Sequence, residues 1–200
     1  MRVLRGYIVV VDAINYRVGR LSMYLIFVLI GILAWSSISK TFFSPSHWTL
    51  EMAQFTMMGY FVLGGAYAIQ MGANVRMDLL YSGWSLRRKA AFDAVTVLFL
   101  LFYLGVVFYG GLGSTAYSLG HFQQEPVSFF AGLGAAFVTG GPEAASAELG
   151  FLERSRTLWR PQMWPVKTII LIGVLLMMLQ SLSELAKDVL RLTGREVPAR

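Results

Sequence analysis

The chain has 200 residues, of which 56% are hydrophobic and only 14% charged, with a formal net charge of +6. Soluble domains seldom combine so much apolar content with so little charge, so the composition points to an integral membrane protein. The absence of cysteine excludes disulfides, thiol nucleophiles and thiolate metal sites, and basic residues that sit beside apolar runs point to anionic lipid rather than nucleic acid.

Residues 1–20 alternate on a helical period. Arg5, Asp12, Asn15 and Gly19 form one stripe and Leu4, Ile8, Val11, Ile14 and Val18 another, which predicts an amphipathic helix lying on the membrane surface. A bilayer core about 30 Å thick needs roughly 20 apolar helical residues. Four segments meet that length: residues 21–43, 48–71, 94–118 and 166–190. The first is too long and too far from the start for a signal peptide, and it is expected to persist in the mature protein. Ser44-Pro45-Ser46 is a short turn that makes the first two spans antiparallel neighbours, with Ser46 a candidate N-cap.

Between the second and third spans, residues 72–92 carry Arg76, Arg87, Arg88 and Lys89 among Val75, Leu79, Leu80 and Trp84, the pattern of an amphipathic connector in the headgroup layer. Ser85 is placed to cap a helix that starts there and runs into the third span. Glycines at 59, 64 and 65 in the second span and at 105, 110, 111 and 113 in the third predict close helix packing.

Residues 119–165 form a long loop containing an apolar stretch, 128–140, too short to span, for which a re-entrant or surface-lying helix is expected. Trp159, Trp164 and Lys167 suit a membrane interface, and Pro165 suits the first turn of the last span. Together with Arg160 the two tryptophans are also candidate docking points for a partner. Gln180 is the main polar residue of the last span and is expected to make an interhelical hydrogen bond; a tail, 191–200, follows the span.

Of the 17 Lys and Arg residues, all but Lys40, Arg154, Arg156, Arg160 and Lys167 fall on one side of this arrangement. The positive-inside rule therefore puts both termini and the 72–92 connector in the cytoplasm. The expected fold is an all-α integral membrane protein, one membrane domain of four transmembrane helices plus interfacial amphipathic helices. No ionisable residue falls near the middle of a predicted span, His47 and His121 lie on different segments, and neither a metal-ligand cluster nor a nucleotide loop is present. An enzyme is not expected. Besides a scaffold, two other classes fit a four-helix chain: a membrane anchor of a redox enzyme, and an autonomous small transporter or channel.

Read in order, Lys40 and Phe43, Trp48 and Glu51, then Gly72, Val75, Arg76, Asp78, Leu79 and Tyr81, then Asp93, and finally Trp164-Pro165, Gln180 and Glu184 resemble a known pattern. It is that of the DctQ-type small membrane subunit, the Q component of tripartite ATP-independent periplasmic (TRAP) transporters. The chain departs from it at Lys40-Thr41, where the family commonly has Arg-Tyr, and at Asn74, where it has histidine. Lysine lacks the planar fork of arginine, and asparagine lacks a titratable ring.

The resemblance implies a subunit of the bacterial or archaeal cytoplasmic membrane that braces a large M-type membrane subunit. A P-type periplasmic binding protein would deliver an organic acid, and sodium would bind the partner, with no cofactor on this subunit. Lys40, Trp48, Glu51, Gly72, Asn74, Arg76, Asp78, Gln180 and Glu184 are then the candidate interface residues. Trp84, Arg87, Arg88, Lys89, Trp159, Trp164 and Lys167 are the candidate lipid anchors. Two choices stay open at this level: Arg76 and Asp78 pair with each other or with the partner, and Glu51 complements its helix N-terminus or pairs with Lys40.

Overall fold

The computed structural model describes residues 2–73, 83–122 and 125–193. Among them the chain is helical: α1 (Arg2–Ser22), α2 (Leu25–Phe42), α3 (Thr49–Met71), α4 (Leu86–Ser118), α5 (Pro126–Ala147) and α6 (Trp164–Leu192). The one β-type pairing among the described residues is an isolated bridge between Arg154 and Gln162.

α6 is the hub. It packs against α3 and α4, α3 packs in turn against α1 and α2, α1 also touches α6, and α5 rests on α4. Glycine permits the tightest approach: a Cβ at Gly173 of α6 would lie 2.3 Å from Val62 Cγ1 and 2.9 Å from the Val62 carbonyl oxygen of α3. A Cβ at Gly105, Gly110 or Gly113 of α4 would meet nothing within 4 Å, so the close packing expected of them is not made among the described residues.

Among the described residues three stretches are long and apolar enough to cross a membrane: Val3–Phe42, Arg88–Ser118 and Trp164–Leu192. α3 is not among them, and Glu51, Gln54 and Gln70 are polar positions along it. It also depends on neighbours, since Glu51 and Gln70 are buried.

Local signals set the helix ends. Met23, Ile26 and Phe27 keep helix-like hydrogen bonds across residues 23–24, so α1 runs almost directly into α2. Ser46 does not cap α3. Its hydroxyl lies 3.2 Å from Ser39 Oγ and 3.0 Å from Thr49 Oγ1, and Thr49 donates to Ser36 Oγ at 3.2 Å, so the turn is latched by hydroxyls. Gly72 ends α3 in the left-handed region (φ 63°), and its amide with that of Ala73 satisfies the Ala68 and Ile69 carbonyls.

α4 begins after Ser85, whose carbonyl accepts from the Lys89 amide at 3.0 Å while its side chain makes no cap bond. Its 33 residues span about 50 Å, so the helix overshoots a hydrocarbon core at one end or both.

α5 is longer than the 128–140 stretch that apolarity alone marks out. Pro126 is pre-set for the first turn, and the helix continues past a break at Gly141 (φ 70°, ψ −164°) into a second short piece led by Pro142. Gly120 and Gly150 then cross so closely that a Cβ on Gly120 would fall 2.4 Å from the Gly150 carbonyl carbon. Only glycine fits at that crossing, which the Gly150 amide closes onto Leu119 O at 3.0 Å.

Candidate functional site

Two polar constellations sit at opposite ends of α6. The first lies where α1 crosses its C-terminal half. On α1, positions 8, 11, 15 and 22 share one helical face, so Ile8, Val11, Asn15 and Ser22 are all buried. The helix expected over residues 1–20 forms, but its buried face does not follow the apolar stripe alone: Asp12 and Asn15 turn inward beside Ile8 and Val11, and Val3, Val10, Ile14 and Leu21 stay exposed. The bundle face falls on the border between the two sequence stripes, because α6 offers polar partners there.

Those partners are Gln180, Ser183, Glu184 and Lys187, spaced to occupy one face of α6. Lys187 Nζ lies 2.7 Å from Asp12 Oδ2 and 2.7 Å from Glu184 Oε1. Asp12 Oδ1 accepts from Gln180 Nε2 and from Ser183 Oγ, each at 3.0 Å. Asn15 Nδ2 donates to Gln180 Oε1 at 2.7 Å, Gln180 Nε2 also reaches Glu184 Oε1 at 3.1 Å, and Gln70 of α3 donates to the Asp12 carbonyl at 3.1 Å. Tyr7 adds a bond from its hydroxyl to Leu179 O at 2.9 Å.

Lys187 and Asp188 are each only 4% exposed and Gln180 is fully buried, so the charges here work on one another rather than on water. Arg191 pairs with Asp188 at 2.8 Å and finishes the helix. Gln180 and Glu184 were legible as a pair in the sequence. The i, i+3 spacing of Glu184 with Lys187 and of Asp188 with Arg191 also marks the two pairs that form. Asp12, Asn15 and Ser183, and with them the reach of Lys187 to α1, were not legible, although the matching polar stripes on α1 and α6 were the signal.

The second constellation is a hairpin of residues 153–163. The Ser155 amide donates to Pro161 O at 2.8 Å and the Met163 amide to Glu153 O at 3.0 Å. The Glu153 carboxylate receives Lys167 Nζ at 2.5 Å, and the same ammonium reaches Ser114 O at 3.2 Å, which ties the hairpin to α4 and α6. Ser155 Oγ donates to the Glu51 carboxylate in the first turn of α3, so Glu51 is held by the hairpin and buried there, while Lys40 is exposed.

The remaining sequence candidates are scattered. Trp48 occupies the position before α3, Trp84 stacks edge-on with Phe92 at 5.5 Å, Arg88 is exposed and Lys89 half-buried. Trp159 is exposed, and Trp164 Nε1 donates to Gln162 Oε1 at 2.8 Å. Asn74, Arg76 and Asp78, and the side chain of Arg87, lie outside the described residues. His47 is exposed, whereas His121 stacks on Phe129 with ring centroids 4.5 Å apart. Among the described residues no three His, Cys, Asp or Glu side chains come together as a metal site would require.

A helical bundle with three membrane-length apolar stretches, and with bulky apolar side chains exposed along α2 and α4, is a membrane protein. Residues 29–130 match the family model of the DctQ component of tripartite ATP-independent periplasmic transporters, and the chain belongs to that family. It is the small membrane subunit of such a transporter and not an enzyme. Comparisons with curated proteins and with solved structures gave no match. The matched region runs from α2 into α5, so α1, the hairpin and α6 all lie beyond it.

Proposed function

We propose that this subunit is a static scaffold for a sodium-coupled importer of organic acids in the cytoplasmic membrane. In this reading α2, α3, α4 and α6 are four spans, both termini and the 72–92 connector are cytoplasmic, and α1 lies at the inner surface. The apolar faces of α2 and α4 brace a large M-type subunit that carries the sodium and substrate sites. The hairpin faces the periplasm and helps a P-type binding protein dock. Arg88 and Lys89, with the rest of the basic connector, hold anionic lipid at the cytoplasmic rim.

One observation carries this reading. Among the described residues, the ionisable groups where α1 crosses α6, the buried Lys187 and the partly buried Asp12 and Glu184, are engaged with one another and tie α1 to α6. Groups that serve a translocation path must be free to exchange partners with ions or water as cargo passes, whereas a closed cluster fixes helices in place. A scaffold needs the second property.

Co-expression of tagged chain with its large membrane subunit, followed by detergent purification, tests the proposal. A stable complex is expected. Consistent recovery of the tagged chain alone contradicts it.

A further inference from the structure

Three arginines, Arg154, Arg156 and Arg160, stand exposed on the 153–163 hairpin. The only carboxylate in that segment, Glu153, is already taken by Lys167, and none of the three arginines forms an ion pair among the described residues. The hairpin therefore presents unopposed positive charge. Leu158 is 76% exposed at its tip, beside exposed Trp159. Arginine and tryptophan, here together on one ordered edge, are the residues enriched at protein-binding hot spots.

The display is also rigid. The Arg154–Gln162 bridge, the Ser155–Pro161 and Met163–Glu153 backbone bonds, and the side-chain ties to Glu51 and Ser114 fix the hairpin from both ends. Arg160 is the one described non-glycine residue in the left-handed region, at φ 50°. A bulky residue persists there only where its surroundings over-determine the backbone. Binding to a fluid lipid surface needs no such fixed geometry, and lipid-binding segments commonly place their basic residues along an amphipathic helix. Basic residues outside the cytoplasm also run against the positive-inside bias.

We propose that the 153–163 hairpin is an electrostatic docking edge for a soluble protein that presents acidic side chains, with Arg154, Arg156 and Arg160 making the charge contacts. This rests on the outward placement of the hairpin in the functional reading above. The soluble partner is then the binding protein that delivers substrate, and its docking face is acidic.

The test uses the complex of both membrane subunits in nanodiscs of neutral lipid, with the purified P-type binding protein of the same transporter as probe. Raising salt from about 50 to about 300 mM should weaken wild-type binding, and R154E/R156E/R160E should weaken it about tenfold or more at low salt while flattening the salt response. The lysine triple variant should keep the salt response. Co-purification with the large subunit monitors assembly of each variant, and R156E alone, read by the same titration, serves if the triple variant does not assemble.

Salt-insensitive wild-type binding, or glutamate variants that bind like wild type, overturns the proposal. So does a requirement for anionic lipid in the nanodisc, which would make the hairpin a headgroup site. Each of these outcomes leaves the scaffold reading intact, because that reading fails on loss of the wild-type complex instead.

Discussion

Lys187 is the side chain whose loss strands the most charge. Its ammonium serves Asp12 and Glu184 at once and is nearly inaccessible to water, so Lys187→Met leaves two carboxylates without their cation. Removing one member of a buried pair costs about 3–5 kcal/mol, and a thermal melt of detergent-solubilised protein should show a marked fall in midpoint. Adding Asp12→Asn to the same chain should recover part of the loss, since the stranded charge is then reduced. Equal melting of the single and double variants would mean that Asp12 is not the partner that matters. A second contrast sits at two glycines. Gly173→Leu must collide with Val62, whereas Gly105→Ala meets open space, so the first should abolish a monodisperse peak in size-exclusion chromatography and the second should not. The sequence marks both positions as glycines in membrane helices and cannot say which one faces a neighbour.

At the scale of elements, punctuation by proline and glycine made some helix ends legible: Pro165 opens α6 and Gly72 closes α3, whereas the start of α5 at Pro126 lies outside the stretch that apolarity marks. What sequence pattern could not supply is orientation about the helix axis. The polar stripe of α1 reads as solvent-facing until the polar face of α6 is placed opposite it, and then Asp12 and Asn15 become the inward side. The hydroxyl latch of Ser36, Ser39, Ser46 and Thr49 was hidden for a similar reason, since the turn suggests a single cap and the actual bonds join two helices. The contacts of Asp12 and Asn15 with α6 make α1 part of the bundle rather than an anchor alone. Deleting residues 2–22 should therefore lower the yield of folded protein even when a foreign amphipathic helix restores membrane attachment. Full recovery by the foreign helix would restrict α1 to anchoring.

For the whole molecule, the absence of native cysteine makes topology directly measurable. A single cysteine introduced at Leu158 should react with a membrane-impermeant maleimide in intact cells, and one at Gly83 should react only after permeabilisation. The reverse pattern would invert the proposed orientation. The family was legible from scattered motif residues because their order and spacing survive without any single strong element, and the match over residues 29–130 is independent of α6. The way α6 gathers α1 and α3 depends on contacts between residues more than 100 positions apart, such as Asn15 with Gln180 and Gly173 with Val62, and no local pattern encodes these. The central claim is that this subunit holds a transport path without containing one. Sodium-driven uptake of the acid delivered by the binding protein, measured in proteoliposomes, tests it most directly. Vesicles holding this chain alone should show no uptake, and those holding both membrane subunits should transport. Substrate flux through this chain alone, or full transport by the large subunit without it, would contradict the account.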